Sequence, residues 1–550
     1  VRSEKGRIRA GWPYGNATMT PTNWTTRVLA SVTLGFALGL PVAALAETVI
    51  KFIPHADLQN LDPMGSTANI VKMHGFMIYD TLFGLDENFV PRPQMLSGVT
   101  VSPDGLVYRM VLRDGLKWHD GSPVLAEDCV ASLKRWAARD GAGQLMAREM
   151  QEIRVVDPHT FELVFSRPYG IVLESLSKVA ANVPFMMPRR IAETDPFQQI
   201  ADPIGSGPFR FVKSEFAPGI KVVYEKNPDY VPRDEPASGF AGGKKVNVDR
   251  VEWVSIHDQP TALSALVTGE VDMWENPTFD LVPLLKRSKG VVVEMTNKTG
   301  IAGQIYFNHI IPPFDNVKAR QAMLWLTVQT DYLQAIVGNS DFYQPCASMF
   351  TCGTPMANDS GSEPLQHPSA ERARALFKES GWDFAKPIVI LDPQDETISH
   401  PAALVTAQAM RNIGLNVDLQ AMDWATALTR RNSKQPTDKG GWNILHSYNS
   451  GVGMSTPVWS VAYSGACEKG LFGWPCDQKL EDLRLDWALA DGVPAKLGIA
   501  KDYQARAFET GHHVPLGQWT PVVAHRDTLG GIVPSHDITV FWNMTTKAAP

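Results

Sequence analysis

The sequence predicts an α/β protein built as two lobes, with a chain that crosses between them more than once. Three observations carry this. Residues 387–431 alternate strand-like and helix-like segments, which marks an α/β lobe with a mixed sheet. Residues 210–260 show strand patterns without helices, and the chain returns to strand after its last helices. At about 150 residues per domain, 550 residues make three to four domain-sized units. A chain of this length buries roughly 75% of its unfolded surface and needs no metal or disulfide to fold.

The elements follow from periodicity and punctuation. Thr48–Ile53 alternates and reads as the first strand, and Ile70–Leu82 reads as helix. Tyr108–Leu112 is a strand closed by the turn pair Asp114-Gly115. Ala126–Ala138 is a helix with Val130, Leu133 and Ala137 on one face. Ile153–Val156 and Thr160–Phe165 form a hairpin across Asp157-Pro158. Phe209–Lys213 and Lys221–Tyr224 are strands, and Pro260–Val267 is a short helix stopped by Gly269. Val291–Met295 and Gly303–Phe307 are strands; Val317–Val328 and Tyr332–Val337 are helices. The alternation then runs Ala370–Glu379 helix (with Gly381 at the stop), Pro387–Leu391 strand, Ala402–Ile413 helix, Val417–Met422 strand and Trp424–Arg431 helix. Gln478–Leu489 and Ala495–Glu509 are helices, and Val514–Trp519 and Thr539–Trp542 are strands.

The N-terminus carries an export address. Val28–Leu40 is an uncharged apolar run preceded by Arg27 and followed by Ala44-Leu45-Ala46, a signal-peptidase pattern. Met19 is the expected start, residues 1–18 are upstream sequence, and the mature chain begins at Glu47. The run is too short for a membrane span, which needs about 20 residues. With no Cys after it there is no lipid attachment site, so the expectation is a soluble periplasmic protein. The net charge of −7 leaves no basic face for nucleic acid.

Export permits disulfides among Cys346, Cys352, Cys467 and Cys476. Four cysteines allow three pairings, and local pairing is the expectation. Zinc spacing is absent, so no metal is expected. Cys129 falls in an apolar helix stripe as an inert core thiol. Catalytic motifs fail on spacing. Ile204-Gly205-Ser206-Gly207-Pro208 is no nucleophile elbow, and Gly239–Lys244 is one spacer short of a phosphate loop. His119-Asp120 reads as a surface or hinge-loop pair. Of His512-His513, which opens a strand, at most one faces inward. No cofactor and no enzyme activity are expected.

Three segments resemble the solute-binding proteins of ABC importers of the oligopeptide, dipeptide and nickel type (bacterial extracellular solute-binding protein family 5). The first runs from Tyr79-Asp80-Thr81-Leu82-Phe83 through Ser102-Pro103-Asp104-Gly105 and Leu112-Arg113-Asp114-Gly115-Leu116-Lys117-Trp118-His119-Asp120-Gly121-Ser122-Pro123 to Ala126-Glu127-Asp128. The second is Gly205-Ser206-Gly207-Pro208-Phe209. The third is Phe307-Asn308 and Pro312-Pro313-Phe314-Asp315-Asn316-Val317-Lys318-Ala319-Arg320-Gln321-Ala322. The resemblance implies a two-lobed periplasmic binding protein fold (type II, cluster C-like) with an extra inserted domain. Lobe I would comprise 47–80, 208–300 and 515–550, the inserted domain 81–207, and lobe III 301–514. Gly205 and Gly207 would allow unusual backbone angles, and Arg320 would make a structural ion pair.

The resemblance further implies a ligand, a peptide or peptide-like solute, held between lobes I and III. It implies delivery to an inner-membrane ABC permease and its ATPase by a protein that acts as a monomer. In peptide binders of this family an Asp shortly after a strand holds the peptide ammonium, because a buried charge needs a partner. Here His446–Pro457 contains no Asp or Glu, which favours hydrogen bonding and aromatic packing. The candidates are Tyr448, Asn449, Trp459 and Tyr463, with His55 and Leu58 after the first strand and Trp274 near the interlobe crossing. The rival readings are a periplasmic hydrolase acting on peptides or glycans and a ligand sensor on the same fold.

Overall fold

The computed structural model describes residues 47–547. The expected signal segment, residues 1–46, lies outside the described residues. Among those described, no helix is long and apolar enough to cross a membrane.

Two large mixed sheets organise the chain. The first has seven strands, in the spatial order Val291–Glu294, Val523–Arg526, Met273–Glu275, Val49–Ile53, Arg250–Val254, Lys221–Lys226 and Phe209–Phe211. Val49–Ile53 runs parallel to both neighbours, with Phe52 opposite Trp253 and Ile53 opposite Trp274. Its apolar side chains form the lobe I core, where Phe52 packs edge-on against Phe541 and Trp253 at centroid distances of 5.0 and 6.0 Å. The second sheet has six strands, in the order Tyr343–Gln344, Val514–Trp519, Ile301–Phe307, Ile444–Ser450, Ile388–Pro393 and Val417–Met422. A separate four-stranded sheet, Leu96–Val101, Val107–Leu112, Thr160–Phe165 and Met150–Asp157, lies within the inserted segment.

Most elements form where periodicity puts them, because local chemistry sets their ends. The helix Gln259–Thr268 starts on the Asp258 side chain and stops at Gly269 in the left-handed region. Asp477 caps Gln478–Leu489 in the same way.

Four expectations need correction. Thr539–Trp542 is not a strand. Val540, Phe541 and Trp542 are all buried in succession, where a strand would alternate, and the strand that completes the first sheet is Val523–Arg526. Val514–Trp519 pairs with Ile301–Phe307 in the second sheet. His512 and His513 are both buried, with their Nδ1 atoms 3.0 Å apart. They precede the strand, so strand alternation does not separate them. Arg320 donates to the carbonyls of Thr510 and Phe314, at 2.9 and 2.6 Å, rather than making a direct ion pair. Gly205 and Gly207 are not in the left-handed region. They are small because a Cβ on Gly205 would lie 1.8 Å from the Ile78 carbonyl oxygen, and one on Gly207 2.6 Å from the Ile78 carbonyl carbon. His119, half-buried, tightens the same junction: its backbone N–H donates to Gly205, its Nδ1 accepts from the Gly205 N–H at 3.3 Å, and its Nε2 lies 3.3 Å from the Gly207 carbonyl.

The cysteines pair locally. Cys346–Cys352 and Cys467–Cys476 are disulfides with Cα separations of 5.9 and 4.1 Å, and Cys129 is free and buried.

Candidate functional site

The two large sheets meet where the chain passes from one to the other. The outward crossing runs from Val291–Glu294 to Ile301–Phe307, and the return runs from Val514–Trp519 to Val523–Arg526. The two passes lie against each other. Gly300 adopts φ 65°, and a Cβ there would sit 2.3 Å from the Trp519 carbonyl oxygen. Asn297 shapes the outward pass, its Oδ1 accepting from the N–H groups of Thr299 and Gly300 at 3.0 and 2.9 Å. The C-terminal segment braces it: Asn297 Nδ2 donates to the Asp537 carbonyl at 2.8 Å, and the Thr299 hydroxyl donates to the His536 carbonyl.

On the lobe I side, the carboxyl ends of two parallel strands point at this junction, the usual place for a ligand on such a sheet. His55 follows Val49–Ile53, and Glu275 ends Met273–Glu275. His55 Nδ1 lies 2.6 Å from Glu275 Oε2, while Glu275 Oε1 accepts from the Thr539 hydroxyl at 2.9 Å. Glu275 is buried, and burial alone would raise its pKa. The charge and hydrogen bonds of His55, with the Thr539 bond, outweigh that and hold it below the usual carboxylate range. The His55 side chain stays 23% exposed.

On the lobe III side, Ile444–Ser450 pairs with Ile301–Phe307, placing Tyr448 opposite Gly303 and Asn449 opposite Ala302. Successive residues face opposite sides of the sheet. Half-buried Tyr448 joins an apolar cluster that spans both lobes, with Phe279 and Val522 from one and Phe342, Ile398 and Trp519 from the other. Burial first, and nearby Glu396 second, push its hydroxyl pKa up, so it stays a donor at neutral pH. Asn449 turns the other way and donates to Gln304 Oε1 at 2.9 Å and Tyr306 Oη at 2.8 Å. A small cavity lined by Gln304, Ser348, Thr351, His513 and Gln518 opens beside that pair.

The remaining candidates are core residues in this conformation. Tyr463 is fully buried, its hydroxyl placed 2.6 and 2.9 Å from the carbonyls of Met349 and Met454. Trp459 and Leu58 lie in the main core, and Trp274 packs in a smaller cluster with Ile53, Leu266 and Ala524. The sequence reading passed over Glu275 and Thr539. The one local signal was the position of Glu275 at the end of a short strand beside Trp274. Among the described residues no group of three or more His, Cys, Asp or Glu is placed to hold a metal ion.

Comparison with known proteins agrees with this architecture. A probable peptide ABC transporter periplasmic-binding protein of Sinorhizobium fredii is 36% identical over 526 residues, covering 94% of this chain and 98% of that protein. The solved DppA of Helicobacter pylori, in complex with the peptide STSA, superposes with a TM-score of 0.75 at 19% identity, over 91% of this chain and 98% of that one. AgaA of A. tumefaciens R10, in complex with agropinic acid, gives 0.75 at 19% identity, over 91% and 99%. Residues 90–468 match the profile of the bacterial extracellular solute-binding proteins, family 5 (middle region). With more than half its length matched and a full-length relative above 30% identity, the chain belongs to the bacterial extracellular solute-binding proteins of family 5, the substrate-binding components of ABC importers, and is a binding protein rather than an enzyme.

Proposed function

We propose that the protein works in the periplasm, exported by the signal segment expected at 19–46. There it captures a peptide or peptide-like solute between lobes I and III and hands it to an inner-membrane ABC permease with its ATPase. The observation that carries this reading is the junction itself: two chain crossings in contact, flanked by parallel strand ends on one side and the end of Ile444–Ser450 on the other. Two crossings permit hinge motion without unfolding either lobe. A ligand favours closure only through higher affinity for the closed state.

His55, Tyr448 and Asn449 are the proposed ligand-contacting side chains. Trp459, Tyr463, Leu58 and Trp274 act as walls behind them, holding the loops in place. The peptide named for the Sinorhizobium relative and the peptide bound to DppA support the solute class. AgaA, with agropinic acid, supports extending it to peptide-like acids.

The test is thermal unfolding of the purified mature chain, starting at Glu47, against di- to tetrapeptides and opine acids. It is paired with mass spectrometry of any small molecule that co-purifies. A ligand-dependent rise in Tm for peptides is the expected result. Absence of a shift across the panel, together with an empty mass spectrum, refutes the reading. Size-exclusion with light scattering tests the monomer.

A further inference from the structure

The inserted segment touches both lobes, and the two contacts are built differently. Against lobe I it is bolted by buried groups. Arg135 and Asp62 form an ion pair at 2.8 Å with both side chains fully buried, Asn182 Nδ2 donates to the Met64 carbonyl at 2.7 Å, and the Phe185 ring stands 4.9 Å from that of Phe76. Its other neighbour is the helix pair Gln478–Leu489 and Gly492–Thr510, which leads into the lobe III strand Val514–Trp519. There the Gly170 N–H donates to the Ala488 carbonyl at 3.1 Å, and the Gly170 carbonyl accepts from Lys496 Nζ at 3.2 Å. Lys496 Nζ also reaches Glu174 Oε1 at 3.1 Å.

The Lys496 side chain is 11% exposed, and that of Glu174 36%. Both hydrogen-bond acceptors of this ammonium belong to the inserted segment, while its own lobe offers the Trp487 ring, 5.3 Å away. Among the described residues Glu174 is the one carboxylate paired with Lys496. A largely buried ammonium is unfavourable without partners, so this lysine suits an arrangement in which the inserted segment lies against the helix pair. The backbones there approach closely: a Cβ on Gly170 would lie 2.5 Å from the Ala490 carbonyl oxygen. A second point of touch lies beside the candidate ligand strand. The turn Val452–Met454 comes just after Ile444–Ser450, and a Cβ on Gly453 would lie 3.6 Å from Ala180 Cβ.

We propose that the inserted domain is a clasp for closure: fixed to lobe I, it catches lobe III through Lys496, which exchanges Gly170 and Glu174 for water when the lobes part. Lys496 and Glu174 are then closure-determining residues that lie outside the ligand junction. The inference rests on the reading that lobe III swings against lobe I, and it gives the inserted domain a part in that motion. A contact made in the closed state alone shifts the open–closed equilibrium by its own free energy. It therefore tightens every solute that binds the closed form by the same factor.

The test traps closure without any solute, so its result stands apart from that of the peptide panel. In the mature chain, A180C/G453C places two thiols across the seam, where Cβ atoms about 3.5–4.5 Å apart suit a disulfide. The rate of cross-linking in oxidised glutathione, read by mass spectrometry of a non-reducing digest, follows the fraction of molecules with the seam shut. Adding Lys496→Met or Glu174→Gln should slow it by at least about threefold, and Lys496→Arg, which keeps the charge, should slow it less. The half-exposed Glu174 can lose its charge without threat to the fold. The Gly170 amide gives a second reading in chains without the added cysteines, because its N–H donates across the seam. It should exchange with deuterium faster in Lys496→Met and Glu174→Gln than in the unmodified chain. Equal rates in parent and variants, in either measurement, overturn the clasp, as does a folded A180C/G453C parent that never cross-links.

Discussion

Replacing His446 with glutamine should make folding stability less sensitive to acid by about 2 kcal/mol between pH 7.5 and pH 5. His446 lies on the central strand Ile444–Ser450 opposite Ile305 and is 1% exposed. Its Nε2 lies 2.7 Å from the Thr406 hydroxyl, which is 2.9 Å from the Tyr332 hydroxyl, and its Nδ1 has no partner among the described residues. Burial lowers its pKa from 6.5 to about 3. A folded pKa below the unfolded one means that the unfolded chain takes up the proton first. The stability this ring contributes is complete above pH 6.5 and is lost as pH falls from there towards about 3. At pH 5 the unfolded imidazole is protonated and the folded one is not. A gap of about 1.5 pH units below the unfolded value, at 1.36 kcal/mol each, amounts to about 2 kcal/mol. Any folded pKa below about 4 gives nearly the same figure at pH 5. The other buried histidines, such as His74 at about 3 and His512 at about 4, are common to both proteins and cancel in the difference. Glutamine pays its own fixed packing penalty, which does not vary with pH. Urea unfolding of the mature chain and of His446→Gln at pH 7.5, 6.5, 5.5 and 5.0 should show the stability gap between them shrinking by this amount. Parallel stability curves would refute the claim that the ring is neutral in the fold.

Two further outcomes follow from packing. Gly205→Ala places a methyl group on the Ile78 carbonyl and should cost at least about 3 kcal/mol, visible as a large fall in Tm; an unchanged Tm contradicts the close approach. Cys129 is fully buried, and burial, reinforced by Asp128, raises its thiol pKa, so native protein should resist a thiol-alkylating reagent that modifies the residue quickly in denaturant. Intact-mass spectra before and after denaturation decide this, and rapid native labelling is the contrary result.

How much was legible in the sequence depends on whether a signal was local. The ends of two helices were legible because Gly269 and Gly381, both in the left-handed region, act on neighbours in the chain. The alternation at 387–431 was legible because each strand and helix there carries its own period. Thr539–Trp542 misled for the opposite reason. Its residues look like a strand, but the aromatic core claims Phe541 through Phe52 and Trp253. Gly205 was noticed, but its cause lies over a hundred residues away at Ile78, where only the folded contact reveals an approach too close for a side chain. The candidate site divides in the same way. Tyr448 and Asn449 are adjacent in sequence and were found together. Glu275 and Thr539 belong to separate segments, 264 residues apart, and no local pattern links them.

That scatter has a physical consequence for the ligand. A search confined to the segment after the lobe III strand finds no acid and favours hydrogen bonding and aromatic packing. The fold reverses the inference, because the polarity of the junction is set by parallel strands that end together and by a C-terminal segment laid across both crossings. Glu275 stays ionised because His55 and Thr539 bind it.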